Sequence, residues 1–457
     1  MVEPFPPLTR RALLGRLGIG GLALGAAACG PAWRSGPSPG TPTLQLWTLD
    51  LAPKFSAFIE AALAAWQSQR PPDSPMRVRW SDVPWSSVER KLLASVYART
   101  APDLVNLNPL FATGLASRGG LLDLNTVLPT AAAEAYLPGV WQSGQLAGEQ
   151  FAIPWYLTTR LTMANQRLLR QAGIDAPPRR WREVPAYAAA IRRRTGRYAL
   201  FVTVVPEDSA ELLESFVQMG VRLLDDQHQA AFWSPAGRAA FAFWSELYRQ
   251  GLLPREVVSQ GYRRAIELYQ AGDLAQVASG PDFLRNLQTN APGIATVTTP
   301  HPPLRGETDH TNVAVMNLVV PRRSAVASAA ADLALFLTNA PNQLRFAEAA
   351  RVLPSSRVAL AALERGLRRA RSGASPGEGL VVKARLLAVE SLATARVLVP
   401  PTPGLKRLQT ILYTQLQRAM LGQASSDQAL EEAAREWNRY AAARWPAGLK
   451  TAKTNAG

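Results

Sequence analysis

Aromatic rings set beside short polar side chains are the residues of this chain best suited to chemistry at a ligand. They recur at the ends of predicted strands. Trp47 precedes Asp50 where a first strand ends, Trp85 follows a second, Asn106 and Asn108 end a third, and Trp155-Tyr156 stands where a more helical half begins. A flat apolar ring stacks on the C–H face of a sugar or polyol, aspartate accepts hydrogen bonds from hydroxyls, and asparagine both donates and accepts. Asp282 and Phe283, from the helical half, are expected to complete the grip. Arg160 brings a guanidinium suited to a phosphorylated or carboxylated solute.

Covalent and metal chemistry have no comparable constellation. Gly36-Pro37-Ser38-Pro39-Gly40 satisfies G-x-S-x-G, but a nucleophile elbow needs a strand before the serine and a helix after it. Here the motif lies in a proline-rich tether. Gly18-Ile19-Gly20-Gly21 falls inside an N-terminal apolar run, and no phosphate-cradling G-x-x-x-x-G-K-[ST] loop occurs. His301 and His310, with Glu307 and Asp309, make a conceivable ligand set, and His228 is the third histidine. There is no H-E-x-x-H and no cysteine partner, so a solvated loop accounts for them. Asp225-Asp226 and Glu431-Glu432 read as solvated helix ends or faces, not as the carboxylate pair of glycoside hydrolysis. No enzyme activity, cofactor or metal is expected.

The elements that must position the aromatic and polar groups follow from hydrophobic period. Thr43-Leu44-Gln45-Leu46-Trp47 alternates as a strand, and 54–69 carries Phe55, Phe58, Ile59, Ala62, Leu63 and Trp66 at helical spacing. Strands at 76–80 and 104–107 and helices at 88–99 and 111–118 continue an alternation that implies an open, largely parallel α/β sheet. Beyond 154 helices dominate, at 166–172, 187–194, 210–219, 235–250 and 263–271, with strands at 161–163, 198–205 and 274–278. An apolar strand at 312–320 precedes helices at 325–337 and 343–350, and the tail from 356 is helical around a loop at 371–379. Trp66, Trp233 and Trp244 are assigned to core.

The N-terminus concerns location. Arg10-Arg11 precedes an apolar Gly/Ala/Leu run that stops at Cys29, the only cysteine. This resembles a twin-arginine export signal ending in a bacterial lipobox, Ala26-Ala27-Ala28-Cys29-Gly30. The resemblance implies lipid on Cys29 and a body on the periplasmic side of the cytoplasmic membrane. A single cysteine also leaves no intrachain disulfide. Of the 457 residues 47% are hydrophobic and 18% charged, a globular composition. The formal charge of +16 invites a nucleic-acid reading, but the basic residues are scattered and no nucleic-acid motif accompanies them. Solvated helix faces account for the excess.

Several segments in order carry a family likeness. They are Ala101-Pro102-Asp103-Leu104-Val105-Asn106, Gly120-Leu121-Leu122-Asp123-Leu124, Ile153-Pro154-Trp155, the run Ala164-Asn165-Gln166-Arg167-Leu168-Leu169, Pro177-Pro178-Arg179-Arg180-Trp181, Tyr269-Gln270-Ala271-Gly272-Asp273-Leu274 with Gly280-Pro281, and Val352-Leu353-Pro354-Ser355. Together they resemble the periplasmic solute-binding proteins of sugar ABC importers, the group of maltose- and trehalose-binding proteins. The chain departs at Ala164-Asn165, where the family often has Tyr-Asn, and at Gly280-Pro281-Asp282-Phe283, where it has Gly-Pro-Trp. Asparagines also follow the third strand in place of an acidic residue. The sugar itself therefore does not follow from the likeness.

The resemblance implies a two-lobed α/β periplasmic-binding-protein fold, each lobe an open sheet. After a signal at 1–28 and a tether at 29–42, the N-terminal lobe would comprise 43–153 plus 303–351. The C-terminal lobe would comprise 154–302 plus 352–447, ahead of a tail at 448–457. Crossing segments are expected near Ile153-Pro154, His301-Pro302 and Val352-Pro354, with Trp155 and Tyr156 lining the cleft. It further implies a lipid-anchored monomer that closes on a sugar or polyol and is met by permease subunits, without nucleic acid. The alternatives are an exported carbohydrate-active enzyme and a binder of an anionic solute such as a sugar phosphate.

Overall fold

Alternating burial sets the first strand: β1 (Thr43–Leu49) buries Leu44 and Leu46 on one face and half-exposes Gln45 and Trp47 on the other. The computed structural model describes residues 41–444 apart from 86, 207, 400, 401 and 403. Arg10, Arg11, Cys29 and the 448–457 tail therefore lie outside the described residues. α1 (Ser56–Ser68) turns Ile59, Ala62, Leu63 and Trp66 inward at spacings of three and four. β2 (Arg77–Val83), α2 (Val88–Tyr97) and β3 (Leu104–Leu107) follow. α3 (Pro109–Ala116) starts two residues before the sequence suggests, because Asn108 accepts the Phe111 N–H at 2.8 Å and Pro109 fits the first helical position.

β4 (Ile153–Thr158) runs into β5 (Leu161–Asn165) across Thr159-Arg160. Asn165 then caps α4 (Gln166–Gln171), accepting from Arg167 N–H and Leu168 N–H. The helical half continues with α5 (Val184–Thr195), α6 (Glu211–Gln218), α7 (Pro235–Arg249), α8 (Tyr262–Gln270), β6 (Gln276–Ser279), α9 (Phe283–Asn290) and β7 (Thr298–His301). β8 (Ala314–Val319), α10 (Ala327–Leu337), α11 (Ala340–Ala350) and β9 (Leu353–Pro354) come next. The tail is α12 (Arg357–Ala370), α13 (Pro376–Ser391), α14 (Leu405–Met420) and α15 (Ser426–Arg444).

Among the described residues, one six-stranded sheet has the order β9-β4-β8-β3-β1-β2, and a three-stranded sheet has the order β6-β5-β7. The first sheet is mixed: β2, β1 and β3 are parallel, while β8 runs antiparallel to β3 and β4, and β9 antiparallel to β4. This corrects the expectation of a largely parallel sheet, since β8 arrives late in the chain and inserts between two earlier strands. The expected crossings shift as well. Ile153-Pro154 and Leu353-Pro354 are strand residues of the first sheet, and the chain leaves that sheet at Thr159-Arg160. His301 ends β7 in the second sheet, and the return to the first comes before Ala314.

One core gathers Leu44, Leu46, Trp66, Trp155, Leu318 and Phe346 on one face of the first sheet, and a smaller one gathers Val105, Leu107 and Val319 on the other. The helical half has the largest core, around Phe216, Phe241, Trp244, Tyr269 and Tyr413. Trp66 and Trp244 are buried as expected, but Trp233 is exposed, with the Arg238 guanidinium over its ring at 4.3 Å. The expected strand at 198–205 makes only an isolated bridge, Tyr198 with Leu274. Its backbone leaves the ladder beyond Ala199, while Leu200, Phe201 and Val202 turn into the core. Among the described residues, no helix is long and apolar enough to cross a membrane.

Candidate functional site

The carboxyl ends of β1, β2 and β3 present the first group of polar and aromatic side chains. Asp82 fixes the turn after β1: its carboxylate accepts Thr48 Oγ1–H at 2.6 Å, Leu51 N–H at 3.1 Å and Ala52 N–H at 3.0 Å. Asp50 adopts a left-handed backbone, and its Oδ2 accepts the Trp85 N–H at 2.8 Å. That bond ties two loops together and holds Trp85 with 41% of its surface exposed, a large ring left at the rim. Asn108 caps α3 beside them through Oδ1.

The other expected contact residues lie elsewhere. Trp47 sits inside β1, level with Val105, and packs on the smaller core; it does not close the strand. Asn106 is buried in β3 and donates Nδ2–H to Asn317 O at 3.1 Å, because β8 pairs alongside the strand that was expected to end at a cleft. Trp155 is a correction of the same kind. Its ring is 0% exposed and stacks on Phe346 at 5.1 Å between centroids. Tyr156 packs on the same phenylalanine at 5.3 Å, and burial, with Asp82 in electrostatic reach, pushes its hydroxyl above the usual range. The physical reason is that β4 is an interior strand whose residues Ile153 to Leu157 are all buried, and Phe346 of α11 packs on the face that carries the ring. Phe283 is likewise core, against Tyr269, while Asp282 is exposed at the start of α9.

Where the chain crosses to the second sheet, Arg160 meets two carboxylates that the sequence reading passed over. Its Nη1 lies 3.5 Å from Glu214 and 4.0 Å from Glu211, its Nη2 donates to Ser209 Oγ at 3.4 Å, and the guanidinium sits 5.8 Å from the Tyr262 ring. Glu211 and Glu214 stand in the first turn of α6, where the helix dipole favours negative charge. Burial nevertheless dominates for Glu211 and pushes its carboxyl up to about 7, with Arg160 opposing and Glu214 reinforcing. Burial raises Glu214 too, against Arg160 and an Asn312 hydrogen bond. The cluster carries one guanidinium against two carboxyl groups, so the charge of Arg160 is already met from within the protein.

These groups line a cavity of about 160 Å³ together with Thr158, Thr159, Gln276 and Asn312. Thr159 Oγ1 and Gln276 Oε1 are buried there without partners among the described residues. The missed signal was Glu211 and Glu214 three apart on a helix otherwise apolar at Leu212, Leu213 and Phe216. The histidine loop is plainly paired: Asp309 holds Arg180 at 2.8 Å and Glu307 holds Arg182 at 3.4 Å. His301 bonds Gln166 and Thr299, and burial, then Lys383 and Arg179, lowers it to about 4. Among the described residues, no group of three or more His, Cys, Asp or Glu could hold a metal.

Comparison with known proteins places this architecture. The family model for bacterial extracellular solute-binding proteins matches residues 50–344. The chain is 23% identical over 180 residues to the diacetylchitobiose-binding protein DasA of Streptomyces coelicolor, which covers 37% of this chain and 40% of that one. Matches to curated relatives span 40–61% of those relatives' length. A crystal structure of a candidate oligosaccharide periplasmic-binding protein from Synechococcus sp. MITs9220 superposes with a TM-score of 0.83 at 64% identity, covering 88% of this chain and 100% of that one. A second structure of that protein is in complex with zinc. The cyclic α-maltosyl-1,6-maltose-binding protein of Arthrobacter globiformis shares the fold, with a TM-score of 0.72 at 22% identity over 88% of this chain and 99% of that one.

Proposed function

Because this chain belongs to the bacterial extracellular solute-binding protein family, we propose that it is the capture component of an ABC importer, taking a sugar or polyol between two lobes and handing it to membrane permease subunits. The observation that carries this reading is the exposed Trp85 ring, held by Asp50 at the carboxyl ends of three parallel strands. In open α/β sheets ligands collect at that end. The Synechococcus relative's description as an oligosaccharide binder, at 64% identity, supports the same class. Trp85 stacks on the ligand, Asp50 and Asn108 meet its hydroxyls, and the acceptors around Glu211 and Glu214 face it from the second lobe. Closure follows from the ligand's higher affinity for the closed arrangement. The neutralised Arg160 favours an uncharged ligand over an anionic one at this place. The protein works as a monomer on the periplasmic side, tethered by lipid on Cys29.

Three measurements test this. Calorimetry against neutral sugars, polyols and sugar phosphates should find a neutral ligand, and purified protein should turn over no glycoside of a matched panel. Trp85→Ala should weaken that ligand by ~0.5–1.5 kcal/mol, the scale of a lost stacking contact, and leave the melting temperature of the unliganded protein unchanged. If no neutral carbohydrate binds while an anionic or peptidic solute does, the sugar assignment fails. The anchor is tested separately by mass spectrometry of the membrane fraction: an unmodified Cys29, or a mature N-terminus elsewhere, removes it.

A further inference from the structure

Two arginines from separate segments line one hollow, a third is buried within electrostatic reach of both, and none of the three forms a salt bridge among the described residues. Arg285 stands on α9 and Arg351 directly follows α11, and both line a hollow of about 800 Å³ between α9, the end of α12 and the start of α13. Arg385 lies one turn along α13 from Val381 and Val382, which line the same hollow. It is only 4% exposed. Its Nη2 donates to Ala347 O at 3.0 Å, four residues before Arg351, and its Nε is buried without an acceptor.

The electrostatics of the hollow are unfinished. Burial, then Arg351 and Arg285 against a partial offset from Glu348, pushes the Arg385 guanidinium down to about 10. Burial and Arg285 lower Arg351 as well, against Asp282 and Glu348. Asp282 and Glu348 are exposed and within electrostatic reach, and Glu378 lines the hollow itself; its Oε2 accepts the Ser375 Oγ–H at 2.7 Å, and none of the three carboxylates pairs with these arginines. Crowded guanidiniums with spare N–H groups are the donor set that an oxyanion satisfies, since each planar fork matches two oxygens.

We propose that this hollow is an oxyanion site, taking a phosphate, sulfate or carboxylate group between Arg285 and Arg351, with the nearby charge of Arg385 added to theirs. The site is separate from the rim around Trp85: β9, which Arg351 precedes, and β2, which Trp85 follows, are opposite edges of the six-stranded sheet. Five strand spacings put them roughly 24 Å apart. The site also joins the two halves of the molecule. Arg351 follows α11, whose Phe346 belongs to the core of the first sheet, while Arg285 follows Phe283 and Leu284 of the helical core. A bound anion therefore favours the arrangement in which these side chains stand together.

The test uses the full chain in low-salt buffer, titrated calorimetrically with inorganic phosphate and with sulfate, with chloride as control. Saturable binding is expected, with a higher melting temperature. Arg285→Gln and Arg351→Gln should each weaken it at least tenfold; Arg285 is exposed, so its variant keeps the fold even where a change at buried Arg385 does not. Trp85→Ala should leave anion binding intact, which separates this proposal from the sugar reading. Glucose 1-phosphate identifies the source: affinity well above that of phosphate means that the anion is carried on a larger ligand, and equal affinity means a free anion, and either supports the site. No saturable binding, or binding unchanged in both glutamine variants, overturns it.

Discussion

Replacing Trp155 by alanine is expected to lower the unfolding free energy by ~3–5 kcal/mol, the range for deleting a large buried ring whose cavity does not collapse. The indole is fully enclosed, stacked on Phe346 and edge-on to Tyr156, in the middle of the first sheet's main core. Urea unfolding measures the loss. Trp233→Ala, at an exposed tryptophan, serves as the control and should stay within ~0.5 kcal/mol. Below its transition, the Trp155 variant should still bind ligand. The opposite pattern, unchanged stability with lost binding, would return Trp155 to the ligand surface.

Arg160→Met should be the second large effect, and it should depend on pH. Removing one member of a buried charge cluster leaves the others uncompensated; the loss is ~2–3 kcal/mol, less than for a fully buried pair, because Arg160 keeps 36% of its side chain exposed. The sign follows from Glu211, whose carboxyl is raised from 4.5 to about 7 by burial. Between those pH values the folded chain holds a proton that the unfolded chain has released, so this group's contribution to stability falls as pH rises through that window. Without Arg160 both glutamates rise further and the window extends upward. The variant should therefore be most destabilised at pH 8 and recover much of the deficit at pH 5.5, read by chemical denaturation at both values. An equal deficit at both would mean that the guanidinium acts through packing alone.

How much of the site was legible depends on whether its partners share an element. Asn108 and Pro109 announce a capped helix start in two adjacent residues, and the sequence placed Asn108 at a strand's carboxyl end. Trp85 likewise follows a visible strand. Arg160 stands about fifty residues from Glu211 and Glu214, whose spacing of three on an apolar helix is a local trace that names no partner, and Arg285, Arg351 and Arg385 come from three separate segments, so neither cluster can be assembled from the sequence.

The amino-acid sequence by itself determined the elements whose pattern is local. The alternation of β1, the inward face of α1, the apolar run of β3 and the helix at Pro235–Arg249 all stand where hydrophobic period put them, because one buried face forces one period. The order of motifs likewise carried the family. Tertiary structure alone decided which aromatic rings are covered. Trp66 and Trp233 both occupy apolar faces by spacing, yet one is enclosed and the other solvated. Trp155 reads as a strand-end ring until β8 and β9 make β4 an interior strand and Phe346 of α11 stacks on the indole. A strand buried on both faces loses its alternation, so its sequence cannot say which residues face solvent; the elements that later pack on it do, here α11 with Phe346 on the Trp155 ring.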